Sequence, residues 1–217
     1  MNTKLRAYQL EGAKAIKAFG GRALLADEMG LGKSIQSLYY AYRCPKARPV
    51  LIICPAGVKY NWQHELKHHF GLPSAVLEGV KPPKKAQVTT NDFYIINYDI
   101  LHAWVPYLQR LKIKLVIIDE CQYAKNRSTR RYKAVRDVCK KVKKVVALSG
   151  TPFTNRPAEL WPILNILKPD EFPRWMEYAM RYCQPYRSPW GWQFKGAAHL
   201  RELHHRLKQT CTIRRLK

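Results

Sequence analysis

Two short runs of branched apolar residues constrain the fold of this chain more than any other feature. They are Val50-Leu51-Ile52-Ile53 and Leu115-Val116-Ile117-Ile118. Consecutive side chains of a β-strand point to opposite faces of the sheet, so a strand that is apolar at every position is buried on both faces. Strands of this kind are typical of parallel sheets covered by helices. The runs therefore predict the α/β class with a mostly parallel central sheet flanked by helices.

The rest of the apolar pattern alternates between strand-like and helix-like segments, which extends this prediction. Strands are predicted at residues 23–26, 50–54, 93–97, 115–119 and 145–149. Helices are predicted at residues 5–19, 33–42, 59–70, 130–139 and 157–167, as crossovers between parallel strands. After Pro169 the sequence becomes rich in proline and aromatic residues, and a further helix is predicted at residues 197–209. We therefore predict a domain of residues 1–168 and a small helical C-terminal extension of residues 169–217.

The net charge is the compositional feature that most restricts function. The 217 residues include 39 Lys and Arg but only 15 Asp and Glu, which gives a formal net charge of +24. Because the excess is spread along the chain, it favours nucleic-acid phosphates as the partner. A basic surface that only maintains solubility is the alternative interpretation.

The sequence contains no sign of a membrane span or of a secretory signal. No apolar run approaches the ~18 residues that a spanning helix needs, and the first ten residues are polar and charged. We expect an intracellular protein without a membrane partner, cytoplasmic in a prokaryote or virus and nuclear in a eukaryote.

Six cysteines are scattered through the sequence without a CxxC pair. They are Cys44, Cys54, Cys121, Cys139, Cys183 and Cys211. This spacing predicts neither a zinc site nor a disulfide framework. Several of them lie in apolar runs, so buried free thiols are expected.

The strongest chemical motif is Gly30-Leu31-Gly32-Lys33-Ser34, which follows a predicted strand and opens a predicted helix. In this context glycines let backbone N–H groups surround phosphate oxygens, and the helix N-terminus adds partial positive charge. Lys33 would reach the β- and γ-phosphates, and Ser34 would hold Mg²⁺. The strict pattern has a glycine at position 27, where this chain has Asp27. The motif predicts a nucleoside triphosphate site.

Two further motifs follow predicted strands. Asp119 and Glu120 follow the run that ends at Ile118, so both carboxylates would lie at the carboxyl edge of the sheet, facing the phosphate loop. There Asp119 would orient Mg²⁺ and Glu120 would polarise the attacking water. Ser149-Gly150-Thr151-Pro152 follows another apolar run, and its hydroxyls would sense the γ-phosphate, although Gly and Pro also favour a simple turn.

Four segments taken together identify a family. They are Leu5-Arg6-Ala7-Tyr8-Gln9-Leu10-Glu11-Gly12, Asp27-Glu28-Met29-Gly30-Leu31-Gly32-Lys33-Ser34, Asp119-Glu120-Cys121-Gln122 and Leu148-Ser149-Gly150-Thr151-Pro152. With these segments the chain resembles the Swi/Snf-type ATPases of helicase superfamily II over almost its whole length. The resemblance implies a RecA-like three-layer domain. It also accounts for Asp27, because the family has an aspartate at this position.

The resemblance implies ATP and Mg²⁺ as cofactors, with Gln9 reading the adenine edge. The implied ATP-binding residues are Leu5, Arg6, Gln9, Asp27, Met29, Gly30, Leu31, Gly32, Lys33 and Ser34. Lys33, Asp119 and Glu120 would be catalytic, Ser34 and Asp119 would hold the metal, and Gln122, Ser149 and Thr151 would couple hydrolysis to movement. The implied DNA contacts are Pro55, Lys59, Trp62, Asn97, Tyr98, Lys125 and Asn126. Cys121 and Gln122 depart from the family's usual DEAH or DESH box, which puts the coupling role of the fourth position in question.

The last third of the chain resembles the annealing-helicase branch, the HARP-like enzymes that rewind DNA. The matching segments are Asn155-Arg156-Pro157-Ala158-Glu159-Leu160, Arg181-Tyr182-Cys183, Pro189-Trp190-Gly191-Trp192 and Ile213-Arg214-Arg215-Leu216-Lys217. Double-stranded or forked DNA is the partner that this resemblance implies. The family hydrolyses ATP between two lobes, so a second RecA-like lobe, in the same or a separate chain, would have to contribute an arginine for efficient hydrolysis.

Two other functions stay open on the sequence alone. A DNA-binding module could keep the fold without turnover, an alternative that the altered Cys121-Gln122 pair supports. An RNA helicase is less favoured, because the set of motifs is Swi/Snf-like. The motifs together favour the first, ATP-binding lobe of a DNA-dependent ATPase.

Overall fold

The computed structural model describes residues 3–82, 91–150, 156–189 and 191–217. The strands are β1 (Arg22–Leu25), β2 (Val50–Cys54), β3 (Ala75–Val76), β4 (Phe93–Asn97), β5 (Leu115–Ile118), β6 (Lys144–Leu148), β7 (Tyr186–Ser188), β8 (Gly191–Gln193) and β9 (Thr212–Ile213). Seven of them form a central sheet in the order β3-β4-β2-β5-β6-β1-β9. Every pairing within that sheet is parallel, whereas β7 and β8 form a separate antiparallel hairpin.

Helices cover both faces of this sheet. They are α1 (Ala7–Ala18), α2 (Lys33–Arg43), α3 (Lys59–Phe70), α4 (Tyr98–Arg110), α5 (Arg130–Cys139), α6 (Pro157–Leu167), α7 (Trp175–Tyr182) and α8 (Leu200–Thr210). Successive residues of β2 illustrate the layering, since Ile52 packs in the apolar cluster of α1, α2 and α3 while Ile53 packs in that of α4, α5 and α6. The result is three layers, with helices on each side of a parallel sheet, and it confirms the predicted class.

The predicted strands and helices are present with small shifts at their ends. β2, β4 and the helices at Lys59–Phe70, Arg130–Cys139 and Pro157–Leu167 have the predicted bounds. The strand predicted at residues 115–119 ends one residue earlier, and the helix predicted at residues 5–19 is shorter at both ends. Each residue of β2, β4 and β5 is buried. Burial on both faces is why continuous apolar runs located these strands correctly.

One long helix, α4, was not predicted. Its buried positions include Tyr98, Leu101, Trp104 and Leu108, which recur at intervals of three and four residues. This spacing is typical of a helix with one apolar face. The periodicity was therefore present in the sequence, and α4 also carries Pro106 in its interior.

The C-terminal residues return to the central sheet. After α7, the β7–β8 hairpin and α8, strand β9 pairs with β1 and becomes the edge strand beyond it. Tyr178 of α7 and Leu203 and Leu207 of α8 are buried in the same apolar cluster as the strands. The extension predicted for residues 169–217 thus packs on the main core, and its boundary at residue 168 stays a prediction. Among the described residues, no helix is both long and apolar enough to cross a membrane.

The cysteines give a first test of this core. All six are free, five are buried and only Cys44 is half-buried. Burial raises the pKa of Cys54 and of Cys139 to about 12, and it raises that of Cys183 to about 11. Because the thiolate is the reactive form, iodoacetamide at neutral pH is expected to alkylate Cys44 first.

Intact-mass measurement of the folded protein should therefore show one fast adduct, and guanidinium should make all six thiols react. A Cys44→Ser variant is the matched control and should lose the fast adduct. Several adducts formed at equal rates in the folded protein would contradict the packing described here.

Candidate functional site

The loop between β1 and α2 has the geometry of a phosphate-binding loop. Gly30 and Gly32 have φ values of 86° and 68°, in the left-handed region that favours glycine. Gly32 is the N-cap of α2, and no side chain caps this helix start. The two glycines therefore turn the backbone at the point where the helix N-terminus offers N–H groups and partial positive charge to an anion.

Lys33, the first residue of α2, lies back over this loop. Its Nζ atom donates to the carbonyl oxygens of Asp27 and Glu28, at 3.0 and 3.3 Å. Gly150 lies beside the same amine, since a Cβ atom at that position would be 3.5 Å from Nζ. The ammonium group is thus held above the loop by neutral acceptors, which a phosphate oxygen can replace.

The acidic pair lies at the same edge of the sheet, directly after β5. The Asp119 backbone N–H donates to the carbonyl of Ile53 at 2.8 Å, so the ladder between β5 and β2 continues as far as Asp119. Glu120 has a φ of 46°, which is unusual for a residue with a side chain. Such backbone strain persists only where the surroundings impose it, and it is often found at functional sites.

The carboxyl group of Asp119 has a distinct electrostatic setting. Burial raises its pKa above the ordinary value, and the hydrogen bond from Trp62, together with the charge of Lys33, opposes this rise. The Trp62 indole donates to Oδ2 at 2.9 Å, and the Glu120 N–H donates to Oδ1 at 3.0 Å. Each carboxylate oxygen can accept more than one hydrogen bond or metal contact, so both keep capacity for a further partner.

Trp62 and Tyr98 lie beneath the acidic pair. They are only 3 % and 2 % exposed. The Tyr98 hydroxyl donates to the carbonyl of Asp119 at 2.6 Å and also approaches that of Glu120. The resemblance implies DNA contacts for both aromatic residues, and those contacts stay predictions. In the structure Trp62 contacts the carboxylate of Asp119, and Tyr98 contacts the backbone carbonyls of Asp119 and Glu120.

The predicted coupling residues form a continuous chain of hydrogen bonds. The Gln122 amide donates to Glu120 Oε2 at 2.6 Å, and the Ser149 hydroxyl donates to Gln122 Oε1 at 3.1 Å. Glutamine at the fourth position of the acidic box thus connects β5 with β6. Thr151, predicted for the same role, lies outside the described residues.

The implied adenine side of the site lies at the start of α1. Gln9 accepts a hydrogen bond from the Arg6 N–H at 3.0 Å, and its amide contacts the phosphate loop at Gly32. Leu5 is buried in the apolar cluster of α1, α2 and α3. Met29 is 63 % exposed at the tip of the loop, and Ser34 is half-buried in the first turn of α2.

The other implied DNA contacts follow the carboxyl ends of neighbouring strands. Pro55 follows β2 and Asn97 ends β4. Lys59 pairs with Glu78 at 3.6 Å, and Lys125 pairs with Glu159 at 3.0 Å. The Asn126 side chain is exposed and accepts from Ser128. Parallel strands bring these residues to the edge that also carries the phosphate loop.

Sequence analysis missed two residues that surround Asp27. The Asp27 side chain is 0 % exposed, and it accepts hydrogen bonds from Arg215 and Gln36. A buried carboxylate needs such partners, because leaving it unpaired is costly. A charged residue directly after an apolar strand could have indicated that Asp27 needs a buried partner. Nothing in the sequence around Asp27 identifies Arg215, which is 188 positions away, as that partner.

Fold and site together define the class as a nucleotide-binding domain of the RecA-like type. The family model described as SNF2-related domain matches residues 8–217, and the chain belongs to this family. The predicted resemblance to Swi/Snf-type ATPases is thereby confirmed.

Similar proteins include two relatives, and the name of the second describes it as a DNA annealing helicase. The chain is 37 % identical over 215 residues to the SWI/SNF-related matrix-associated actin-dependent regulator of chromatin subfamily A-like protein 1 of Xenopus laevis, covering 98 % of this chain and 22 % of that protein. It is 32 % identical over 229 residues to the DNA annealing helicase and endonuclease ZRANB3 of Homo sapiens, covering 100 % of this chain and 21 % of that protein. The predicted annealing-helicase branch is confirmed, and the chain spans about a fifth of these relatives.

The fold also matches a solved structure, the Sulfolobus solfataricus SWI2/SNF2 ATPase core in complex with dsDNA. The TM-score is 0.82 at 28 % sequence identity, over 100 % of this chain and 45 % of that chain. This match confirms the predicted RecA-like fold. The chain corresponds to less than half of that ATPase core.

Proposed function

We propose that this chain is the ATP-binding N-terminal motor lobe of a DNA-dependent ATPase and translocase that remodels or reanneals duplex DNA. The observation that carries the proposal is the hydrogen-bonded chain from Glu120 through Gln122 to Ser149, beside Lys33 and the phosphate loop. A nucleotide site needs its phosphate loop and its hydrolytic carboxylate at one edge of the sheet, and a motor also needs a link between them. Membership of the SNF2-related family supports the same function.

ATP and Mg²⁺ are the proposed cofactors. Mg²⁺ usually takes one or two protein ligands, and substrate phosphates and water complete its octahedral shell. Ser34 and Asp119 fit this pattern, because a hydroxyl and a carboxylate with spare acceptor capacity lie at one edge of the sheet. When bound, the ion would supply positive charge to the transferring phosphoryl group.

The chain's own residues would then divide the work. Lys33 would leave the carbonyls of Asp27 and Glu28 to hold the β- and γ-phosphates. Glu120 would accept a hydrogen bond from the attacking water, while the Gln122 amide keeps its carboxylate in place. Ser149, which follows β6, would couple changes at this carboxylate to β6 through its hydrogen bond to Gln122. These roles use short contacts between residues that follow the carboxyl ends of β1, β5 and β6.

Duplex or forked DNA is the proposed partner. The net charge of +24 and the exposed residues at the carboxyl edge, such as Asn126, support a phosphate-bearing partner. The similar archaeal ATPase core was solved in complex with dsDNA. Nuclear location fits the eukaryotic relatives but stays part of the proposal.

A second RecA-like lobe, in the same or a separate chain, is the other proposed partner. The chain covers 45 % of the similar ATPase core, which leaves room for one further lobe of equal size. An arginine supplied across the cleft contributes roughly 10³ to 10⁵ in rate in nucleotide hydrolases. We therefore expect the lobe described here to hydrolyse ATP slowly by itself.

DNA-stimulated hydrolysis tests this function. In a protein that joins this chain to a second lobe, duplex DNA is expected to raise ATPase activity at least ~10-fold. The reason is that bound DNA would favour closure of the cleft between the two lobes. Phosphate release is measured with duplex DNA, with RNA and without nucleic acid. Stimulation by RNA alone would favour an RNA helicase.

The alternative is a DNA-binding module without turnover, which the Cys121-Gln122 departure favours. It predicts DNA binding with equal affinity in wild-type protein and in the Lys33→Ala variant, and no hydrolysis under any condition. Filter binding with both proteins distinguishes the two functions. If no nucleic acid raises hydrolysis in the two-lobe protein, the motor proposal is wrong.

A further inference from the structure

We propose that Arg215 is a positioning residue that holds the phosphate loop in its ATP-binding form. It touches neither of the groups that would contact ATP phosphates in the proposed function, Lys33 and Ser34, and it acts through Asp27. The inference rests on the proposed ATP site, and it assigns a role to a residue that no motif of the loop contains.

The starting observation is the burial of Asp27 at the beginning of the loop. Its side chain is 0 % exposed, although it follows β1 by only two positions and leads directly into the glycines. The position is one where the strict phosphate-loop pattern has a glycine. A buried carboxylate is stable only when it is paired and hydrogen-bonded. The conformation of the loop therefore depends on what neutralises Asp27.

Arg215 supplies that neutralisation through its backbone and side chain together. The Arg215 N–H and Nε donate to Asp27 Oδ1 at 2.9 and 3.1 Å, and one terminal nitrogen donates to Oδ2 at 2.5 Å. Contact with both carboxylate oxygens is the two-point geometry that a planar guanidinium provides and a lysine does not. The pair is thus fixed in orientation as well as in charge.

The same guanidinium also reaches the two helices on either side of the loop. One terminal nitrogen donates to the carbonyl of Tyr8 in α1, and the other donates to Gln36 Oε1 in α2 at 2.6 Å. Its carbon atom lies 5.6 Å from the centre of the Tyr8 ring. Gln36 in turn donates to Asp27 Oδ2 at 3.1 Å. Arg215 therefore connects the implied adenine side, the loop and the helix that the loop opens.

The network also packs closely against α1. A Cβ atom at Gly12 of α1 would collide with the Gln36 amide and the Arg215 guanidinium, so a larger residue there would have to displace both side chains. The carbonyl of Asp27 is also an acceptor for Lys33 Nζ, at 3.0 Å. The residue that Arg215 holds by its side chain is therefore the one on which the phosphate-binding lysine rests.

The backbone next to Arg215 reinforces the contact. The N–H groups of Ala26 and Glu28 donate to the carbonyls of Ile213 and Arg215, at 2.8 and 3.0 Å. The Lys217 N–H donates to the Glu28 carboxylate at 2.7 Å. Residues 213–217 thus run beside the first half of the loop, continuing the ladder between β9 and β1. Removing the Arg215 side chain would leave this ladder and the backbone N–H bond to Asp27 Oδ1 in place. It would remove the guanidinium contacts to Asp27, Tyr8 and Gln36.

The test compares variants that differ in one interaction. Arg215→Ala removes the guanidinium, Arg215→Lys keeps the charge without the two-point contact, and Arg214→Ala is the matched control. Arg214 is the exposed neighbour and carries the same charge. ATP affinity is measured by titration calorimetry on the full chain, and amide exchange of residues 27–34 is followed by mass spectrometry without nucleotide.

We expect Arg215→Ala to weaken ATP binding ~10-fold or more, because charge-assisted hydrogen bonds to the buried carboxylate are lost. Arg215→Lys should lose less, and Arg214→Ala should stay within ~2-fold of wild type, since surface charges away from such features have small effects. Amide exchange should rise in residues 27–34 and stay unchanged in β2. A purely structural role would instead raise exchange in β2 as well.

Several outcomes would overturn the inference. One is a wild-type ATP affinity in folded Arg215→Ala. Another is amide exchange that rises equally in the loop and in β2. The third is a loss of ATP affinity in Arg214→Ala as large as that in Arg215→Ala. If Arg215→Ala does not fold, the ATP affinity and loop amide exchange of Arg215→Lys and Asp27→Asn test the inference by the same criteria. If wild-type protein does not bind ATP, the proposed function fails, while exchange of the loop still tests whether Arg215 positions it.

Discussion

Replacing Lys33 by alanine is expected to abolish ATP binding by this chain at micromolar protein concentrations. The amine is held over the phosphate loop by the carbonyls of Asp27 and Glu28. A phosphate would replace these neutral acceptors with charged ones. Hydrogen bonds to charged groups contribute about 1.5–3 kcal/mol each, so losing two of them amounts to roughly 3 kcal/mol or more, about 150-fold in affinity.

Titration calorimetry of the folded variant with ATP and Mg²⁺ measures this loss. Lys14→Ala is the matched control, because Lys14 is exposed on α1 and its removal changes the net charge equally. The control should bind like wild type. An affinity within threefold of wild type in Lys33→Ala would place the nucleotide elsewhere.

Replacing Glu120 by glutamine is expected to separate binding from hydrolysis. The side chain keeps its shape and can still accept from Gln122, so the loop and its ligand should be unaffected. Positioned general bases contribute roughly 10² to 10⁴ in rate. In the protein with a second lobe, DNA-stimulated turnover should therefore fall by at least ~100-fold, while ATP affinity changes less than ~3-fold.

Single-turnover hydrolysis and equilibrium binding, measured on one preparation, check both halves of this result. Glu11→Gln serves as the control, because Glu11 is exposed on α1 and the change in charge is the same. Turnover that survives in Glu120→Gln would mean that another group activates the water. A parallel loss of affinity would mean that Glu120 mainly supports the fold of the site.

Much of the fold followed from local sequence patterns. The runs that form β2 and β5 are buried on both faces, so each residue along them carried the same signal. The glycines of the phosphate loop were equally informative, because their left-handed backbone is a local requirement. Helix α4 was not predicted, although its buried positions have the three- and four-residue spacing of an amphipathic helix.

The contacts inside the site were less accessible from sequence. Trp62 and Asp119 are separated by 57 positions, and Asp27 and Arg215 by 188. Their meeting depends on the order of strands in the sheet, which a pattern along one strand does not encode. The sequence located the motifs of the proposed nucleotide site. The contacts of Trp62 and Arg215, which hold those motifs in place, were identified only from the tertiary structure.

Strand β9 is only two residues long, and it forms the edge of the sheet next to β1. Mechanical load on such an edge is resisted by few bonds. The N–H groups of Leu24, Ala26 and Glu28 donate to it and to its flanks, at 2.7, 2.8 and 3.0 Å. Tension on residues 213–217 would therefore break these hydrogen bonds first. It would disturb the phosphate loop while β2, β4 and β5 stay paired. The phosphate loop and the β9 edge of the sheet thus depend on the same backbone hydrogen bonds.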